Sequence, residues 1–206
     1  GLAQFALVGK LQQREIGREV QRELEAGLAV GFGRGARGLL DVVGHTGEVG
    51  SMVLWPEIVD AVDGRASVLA AGGIGTGRQV AAALALGAQG VWMGSAFLTA
   101  AEYDLGVRTA GGASVIQEAM LAATSSDTVR RRIYTGKPAR LLKSRWTEAW
   151  DAEGAPEPLP MPLQNILVSE AHQRMNEAKD PSAVAMPVGQ IVGRMNAIRP
   201  AAEIVA

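Results

Sequence analysis

Residues 68–98, VLAAGGIGTGRQVAAALALGAQGVWMGSAFL, restrict what this chain can fold into more than any other part of it. The run Val68-Leu69-Ala70-Ala71 has the short, wholly apolar character of a buried parallel strand. Gly72, Gly73, Gly75 and Gly77 follow it, with Thr76 placed to cap the next element. Residues 78–86 are rich in Ala and Leu, free of Pro and Gly, and followed by Gly87, the residue expected just past a helix end. A second apolar run, Gly90-Val91-Trp92-Met93, ends in Gly94-Ser95. The order is strand, glycine turn, helix, strand, glycine turn, which predicts an α/β fold with a parallel sheet.

Both strands end in glycine, and this has a chemical consequence. Turns without side chains let backbone N–H groups approach a ligand, and such donors at a helix N-terminus favour an anion. Gly73 and Gly94 stand 21 positions apart, about one strand–helix repeat. Two neighbouring strand ends at that spacing can hold one phosphate, as the loops after strands 7 and 8 of (β/α)8 barrels commonly do. A dinucleotide fold would instead want one G-x-G-x-x-G turn and an acidic residue about 20 positions on. Here that position is Gly94, and no acid follows until Glu102. The barrel pattern fits better.

At 206 residues and 48% hydrophobic, the chain can bury one good core, but it is short of the ~250 residues of a typical complete barrel. A net charge of −1 gives no overall pull toward nucleic acid or anionic membranes. The aromatic content of 4% argues against a base-stacking surface. Without cysteine there is no disulfide, thiolate metal site or thiol nucleophile, which suits a cytoplasmic protein. No apolar run is long enough for a membrane span. The chain starts at Gly1 rather than Met, which leaves room for a preceding targeting segment.

Upstream, residues 1–8 read as a strand and residues 11–26 as a helix with charged i,i+4 rows. Gly33-Arg34-Gly35-Ala36-Arg37-Gly38 fits G-x-G-x-x-G literally, but it precedes a strand-like run, Leu39 to Val43, where the motif requires a helix. Residues 57–62, after Trp55-Pro56, predict a short helix. Downstream, 113–123, 126–133, 166–179 and 190–198 read as helices, and the proline-rich stretch 151–163 as an extended linker. The expected division is a partial barrel over 1–98 and a helical C-terminal extension over 99–206.

Residues 69–95, LAAGGIGTGRQVAAALALGAQGVWMGS, resemble the nitronate monooxygenase family, formerly 2-nitropropane dioxygenases, which are FMN-dependent TIM barrels. Gly44-His45-Thr46-Gly47 is similar to the family's Gly-Gly-His-x-Gly segment, which carries its catalytic histidine. Thr135-Gly136-Lys137-Pro138-Ala139-Arg140 resembles its Gly-Arg-Pro-Ala-Arg segment. The likeness runs from about Gly44 to the C-terminus. It breaks upstream: residues 38–45, GLLDVVGH, lack the glutamine and glutamate that the family carries there, and Val43 replaces a glycine. A divergent segment and a frame-shifted stretch both produce such a break. The resemblance implies the C-terminal part of a TIM-like (β/α)8 barrel followed by helices, with 68–71 matching strand 7 and 91–93 strand 8. A partial barrel of this kind would leave two sheet edges exposed.

There are two histidines. His45, between glycines at an expected strand end, suits a general base, because a neutral imidazole accepts a proton near neutral pH; a turn-capping role fits the spacing as well. His172, in Glu170-Ala171-His172-Gln173-Arg174, reads as a surface residue. No His, Asp or Glu cluster has metal-ligand spacing, and no serine sits in a G-x-S-x-G setting. The resemblance assigns His45 as the base and Gly72, Gly73, Trp92, Met93, Gly94 and Ser95 to the cofactor, FMN. Lys137 and Arg140 are candidates for an anionic substrate. The implied reaction is oxidation of alkyl nitronates by O2 to a carbonyl compound and nitrite, in a cytoplasmic enzyme open to homo-oligomer formation and without a nucleic-acid or membrane partner. The alternatives are an FMN-dependent enoyl-thioester reductase or dehydrogenase on a similar barrel, and an inactive partial-barrel domain.

Overall fold

A computed structural model describes residues 49–103 and 113–206, and these divide after Trp92 into two compact units. The readings made for 1–8, 11–26, 33–38 and 39–43, and His45 itself, lie outside the described residues.

The first unit is built on a parallel strand pair joined by a helix. Helix α1 (Ser51–Val62) ends at Asp63, whose left-handed backbone (φ 50°) sends its N–H back to Val59 O. It begins six residues earlier than the sequence suggested, with Pro56 inside it rather than near its start. One proline removes a single i→i−4 bond, which a twelve-residue helix can tolerate when its core-facing side packs well. Trp55 does that packing, at 8% exposure. Strand β1 (Leu69–Ala71) pairs in parallel with β2 (Gly90–Trp92), Ala70 opposite Val91 and Ala71 opposite Trp92. Helix α2 (Gly77–Ala85) connects them, with Thr76 as N-cap, its hydroxyl accepting from Gln79 N–H. Small residues let these layers approach. Ala70 and Ala83 are fully buried, and a Cβ on Gly87 would lie 2.8 Å from Val59 Cγ1. Gly87 also has a φ of +95°, so that position excludes a side chain on two counts.

The second unit opens with a 3-10 turn, Ser95–Phe97. Helix α3 (Val115–Ala122) follows, under a reciprocal cap in which Ser114 Oγ accepts from Gln117 N–H while Gln117 Oε1 accepts from Ser114 N–H. Strands β3 (Thr128–Arg131) and β4 (Ala139–Leu142) form an antiparallel hairpin. Within 126–133, Thr128–Arg131 is thus strand, not helix, and the rest is turn. Val129 and Ile133 stand four apart with three consecutive arginines between them, which hides the period of two. Helices α4 (Arg145–Asp151) and α5 (Leu163–Glu177) come next. The main core gathers Val115, Ile116, Met120, Leu142, Val184 and Val192.

Two other readings change. The segment 190–198 is not an α-helix but holds a five-residue 3-10 helix, Gln190–Arg194, in which Gly193 packs so closely on Ser125 that a Cβ there would collide with it. The proline-rich stretch before α5 is irregular and tied down: Gln164 Oε1 accepts from Leu159 N–H at 2.9 Å. The buried Gln164 Nε2 donates to Ile133 O at 2.9 Å.

Candidate functional site: the glycine turn after β1

The turn that follows β1 is held by three side chains from the two helices of its own unit. Trp55 Nε1–H donates to Ala71 O at 3.1 Å, and Ser51 Oγ–H donates to Gly72 O at 3.3 Å. Gln79 Nε2–H donates to Gly73 O at 2.7 Å. Three consecutive carbonyls are thereby turned toward α1 and α2. In a trans peptide the N–H points opposite the C=O, so the N–H groups of Gly72, Gly73 and Ile74 face the other way. Gly72 and Gly73 have φ of +98° and +76°, conformations that side chains strongly disfavour, and both residues are exposed. Gln79 closes the clamp from below: its Oε1 accepts from Gly75 N–H and from Thr76 Oγ–H, each at 3.0 Å. The result is a fixed ring of backbone directly before the N-terminus of α2, the local geometry that favours an anion.

Sequence reasoning found Gly72 and Gly73 but missed Ser51, Trp55 and Gln79. The signal for Gln79 was there: Thr76-x-x-Gln79 has capping-box spacing. Nothing local announced that Ser51 and Trp55, 21 and 16 residues from their acceptors, would meet this turn.

A groove of about 310 Å³ lies beside the clamp, lined by Met52, Val53, Trp55, Gly72, Gly73 and Ala82 among others. Its walls are overwhelmingly apolar and bring no cation, so it suits an anion far less than the N–H side of the turn does.

Trp92 ends β2, half-buried. In the second unit Met93 is half-buried, and Gly94 is exposed with φ of −109°, a value open to any residue. Among the described residues, nothing comes within 4 Å of a Cβ placed on Gly94. Neither backbone conformation nor packing among the described residues therefore explains glycine there. Ser95 Oγ accepts from Gly189 N–H at 2.9 Å, which fastens the start of the Gln190–Arg194 turn to the residue after Gly94.

Lys137 and Arg140 are half-buried, Arg140 in the middle of β4 with its Nη1–H donating to Thr128 Oγ1 at 3.2 Å. His172 is not on the surface. It stacks on Tyr134 (centroids 4.8 Å apart, planes 17°) and meets Trp146 edge-on at 5.4 Å. Its Nε2 and Trp146 Nε1 are buried without a hydrogen-bond partner. Burial holds the His172 imidazole below its ordinary pKa, and burial first, then Tyr103 nearby, raises the Tyr134 phenol. This cluster glues α4, α5 and the end of the hairpin together, so it explains a histidine without any catalytic role. Among the described residues no group of three His, Cys, Asp or Glu could hold a metal, and no helix is long and apolar enough to cross a membrane.

Comparison with known proteins places the chain in one family. The family model described as nitronate monooxygenase matches residues 32–206. A Mycobacterium tuberculosis protein provisionally named a monooxygenase is 52% identical over 168 residues, 79% of this chain and 43% of that protein. A Staphylococcus aureus protein provisionally named a nitronate monooxygenase is 34% identical over 142 residues, 69% of this chain and 37% of the other. Among solved structures, the nitroalkane oxidase of Streptomyces ansochromogenes superposes with a TM-score of 0.62 at 32% identity, covering 76% of this chain and 42% of that one. FabK of Thermotoga maritima gives 0.61 at 32% identity, over 79% of this chain and 48% of its own. The chain spans less than half the length of the curated relatives it matches. With an α/β fold shared with these structures and a family match over 32–206, this chain belongs to the nitronate monooxygenase family.

Proposed function

We propose that this chain carries the phosphate-holding turn and the catalytic base of an FMN-dependent (β/α)8 oxidoreductase that oxidises alkyl nitronates with O2 to a carbonyl compound and nitrite. The observation that carries the reading is the clamped turn, in which the carbonyls of Ala71, Gly72 and Gly73 are committed to Trp55, Ser51 and Gln79 and the adjoining N–H groups are left to face outward. The space that the described residues leave beside the Cα of Gly94 supports it, since a ligand phosphate needs room there that a side chain would take. The residues present fit FMN. In the first unit Gly72 and Gly73 would offer backbone donors to its phosphate and Trp92 would line the flavin; in the second, the family resemblance assigns Met93, Gly94 and Ser95 to the same cofactor. Bound FMN would supply the redox chemistry.

The chain's own contribution is binding and proton transfer. His45, in its neutral form, would take the proton from the carbon bearing the nitro group, turning a neutral nitroalkane into the nitronate. A nitronate that arrives already deprotonated would bypass this step. The setting is a cytoplasmic one, with a small nitronate-type substrate and O2 as partners. The likeness to FabK favours a second reading, an FMN-dependent enoyl-thioester reductase, for which NAD(P)H would be consumed with an acyl thioester and not with nitronate.

The test uses the full-length protein in its flavin-loaded form. A visible spectrum without flavin bands would overturn the cofactor assignment. His45→Asn keeps a polar side chain of similar reach but cannot accept the proton, and general-base catalysis contributes about 10²–10⁴-fold. The variant is expected to lose that factor in kcat/KM on neutral nitroalkane while keeping most activity on pre-formed nitronate. Equal losses on the two forms would remove His45 from the mechanism.

A further inference from the structure

We propose that Gly189 is a positioning residue for the flavin phosphate: its N–H holds the Ser95 hydroxyl by an oxygen lone pair and so keeps the hydroxyl proton available to the ligand. The proposal rests on the flavin reading above and goes beyond it by giving the C-terminal stretch a part in cofactor binding. A serine hydroxyl has one proton to donate and two lone pairs with which to accept. Gly189 N–H takes one of those lone pairs at 2.9 Å, across 94 residues of sequence. Among the described residues this is the one hydrogen bond that Ser95 Oγ makes, so its proton has no acceptor among them. A Cβ on Gly189 would lie 3.5 Å from Ser95 Oγ and within 4 Å of nothing else outside the adjoining chain. The hydroxyl is therefore the neighbour that this residue meets.

The donor is held because the chain on both sides of it is committed. Before it, Pro187 bridges to Leu141 and Val188 N–H donates to Arg140 O at 3.0 Å, which fastens this stretch along β4. After it, Gly189 O accepts from Val192 N–H at 3.0 Å. Val188 and Val192 are both buried in the main core. The acceptor is fixed as well. Ser95 O accepts from Leu98 N–H at 3.0 Å, and Gln117 Nε2 donates to Leu98 O and Ala100 O at 3.3 and 3.1 Å. A ligand that had to order a freely turning hydroxyl would lose affinity in doing so, and here the ordering is done in advance. A hydroxyl that accepts from an N–H is also polarised toward donating, and an ionised oxygen is the acceptor that gains most from it. Were the contact only a tie between two segments, its loss would lower stability and leave the preference for a phosphate unchanged.

The experiment titrates the flavin-free full-length protein with FMN and with riboflavin, which lacks the phosphate, and follows flavin fluorescence. The parent is expected to prefer FMN. Ser95→Ala is expected to weaken FMN binding about 10–100-fold, the range for a hydrogen bond to a charged group, and to leave riboflavin binding as it is. Gly189→Pro removes the N–H at a φ of −77°, which proline adopts. It is expected to cost roughly three- to tenfold on FMN alone, because the ligand must then order the hydroxyl itself. In a Ser95→Ala background the same proline is expected to cost nothing further, since the group it acts through is gone. Should Gly189→Pro not fold, the Gly189 amide proton of the parent takes its place: its NMR resonance is expected to move downfield with FMN and to stay with riboflavin. The proposal is overturned if Ser95→Ala weakens both flavins by one factor, if the proline costs as much in the Ser95→Ala background as in the parent, or if the amide resonance does not respond to FMN. A parent that binds neither flavin overturns the flavin reading and this proposal with it. A preference for FMN that survives in every variant leaves the flavin reading standing and removes Gly189 and Ser95 from it.

Discussion

Gln79→Ala tests the clamp on the glycine turn. The side chain makes three hydrogen bonds, to Gly73 O at 2.7 Å and from Gly75 N–H and Thr76 Oγ–H at 3.0 Å each. A protein hydrogen bond contributes roughly 0.5–1.5 kcal/mol net, and these are partly exposed, so the lower half of that range applies: about 2 kcal/mol for the three. Alanine returns a few tenths of a kcal/mol through its better helix propensity at the third position of α2. The expected loss of stability is therefore ~1–1.5 kcal/mol, read as a shift of the urea midpoint with an unchanged slope. FMN binding should suffer too, because Gly73 is no longer held with its carbonyl inward. About 1–1.5 kcal/mol of ordering then falls on the ligand, a rise of roughly 5–13-fold in Kd by fluorescence titration. Gln79→Glu separates clamp from charge. It keeps the acceptor for Gly75 and Thr76 and suits the positive end of α2, but it loses the donor to Gly73 O and sets a carboxylate beside the phosphate. Its stability should stay nearer the parent's than that of Gln79→Ala while its FMN affinity falls further. If both variants bind FMN as the parent does, the turn is not the phosphate site and the reasoning fails.

Gly136→Ala and Gly154→Ala form a matched pair. Both glycines have positive φ (94° and 80°), but a Cβ on Gly136 would collide with Met161 N and lie 2.5 Å from Leu159 O, whereas one on Gly154 meets nothing within 4 Å. Chemical denaturation should show a loss of about 1 kcal/mol for Gly154→Ala and 3 kcal/mol or more for Gly136→Ala, and equal losses would mean that the proline-rich stretch does not press on the hairpin turn. His172 supplies a pH dependence. Its folded pKa lies below the unfolded value near 6.5, so below that pH the unfolded chain binds a proton that the folded one resists, and stability falls as pH drops through 6.5 at up to ~1.4 kcal/mol per pH unit. His172→Phe keeps the stack on Tyr134 and should flatten that slope between pH 6.5 and 5; an unchanged slope would put the titration elsewhere.

The strand–turn–helix–strand spine of residues 69–92 was legible because local chemistry writes it: an apolar run, glycines where φ is positive, a threonine cap, a glycine after the helix end. The clamp on that spine was only half legible. Gln79 lies within its own capping box, but Ser51 and Trp55 reach the turn through tertiary packing that no window of sequence contains. Helix α5 shows the limit most clearly. Its inward line is the buried Gln164 and Val168 and the half-buried His172, at i, i+4 and i+8, while Leu163, Ile166 and Leu167 are exposed. A hydrophobic-periodicity argument would turn this helix the other way round. The polar residues can be inside because specific partners meet them: Gln164 is saturated by Leu159 N–H and Ile133 O, and the face of His172 lies on Tyr134. An unmatched amide at position 164 would cost about 1–3 kcal/mol, enough to rotate the helix onto its leucines. The orientation of α5 is therefore set by a carbonyl 31 residues upstream, at the end of a hairpin whose own strand pattern is masked by arginines. Reading the helix correctly from sequence would have required the register of the sheet first.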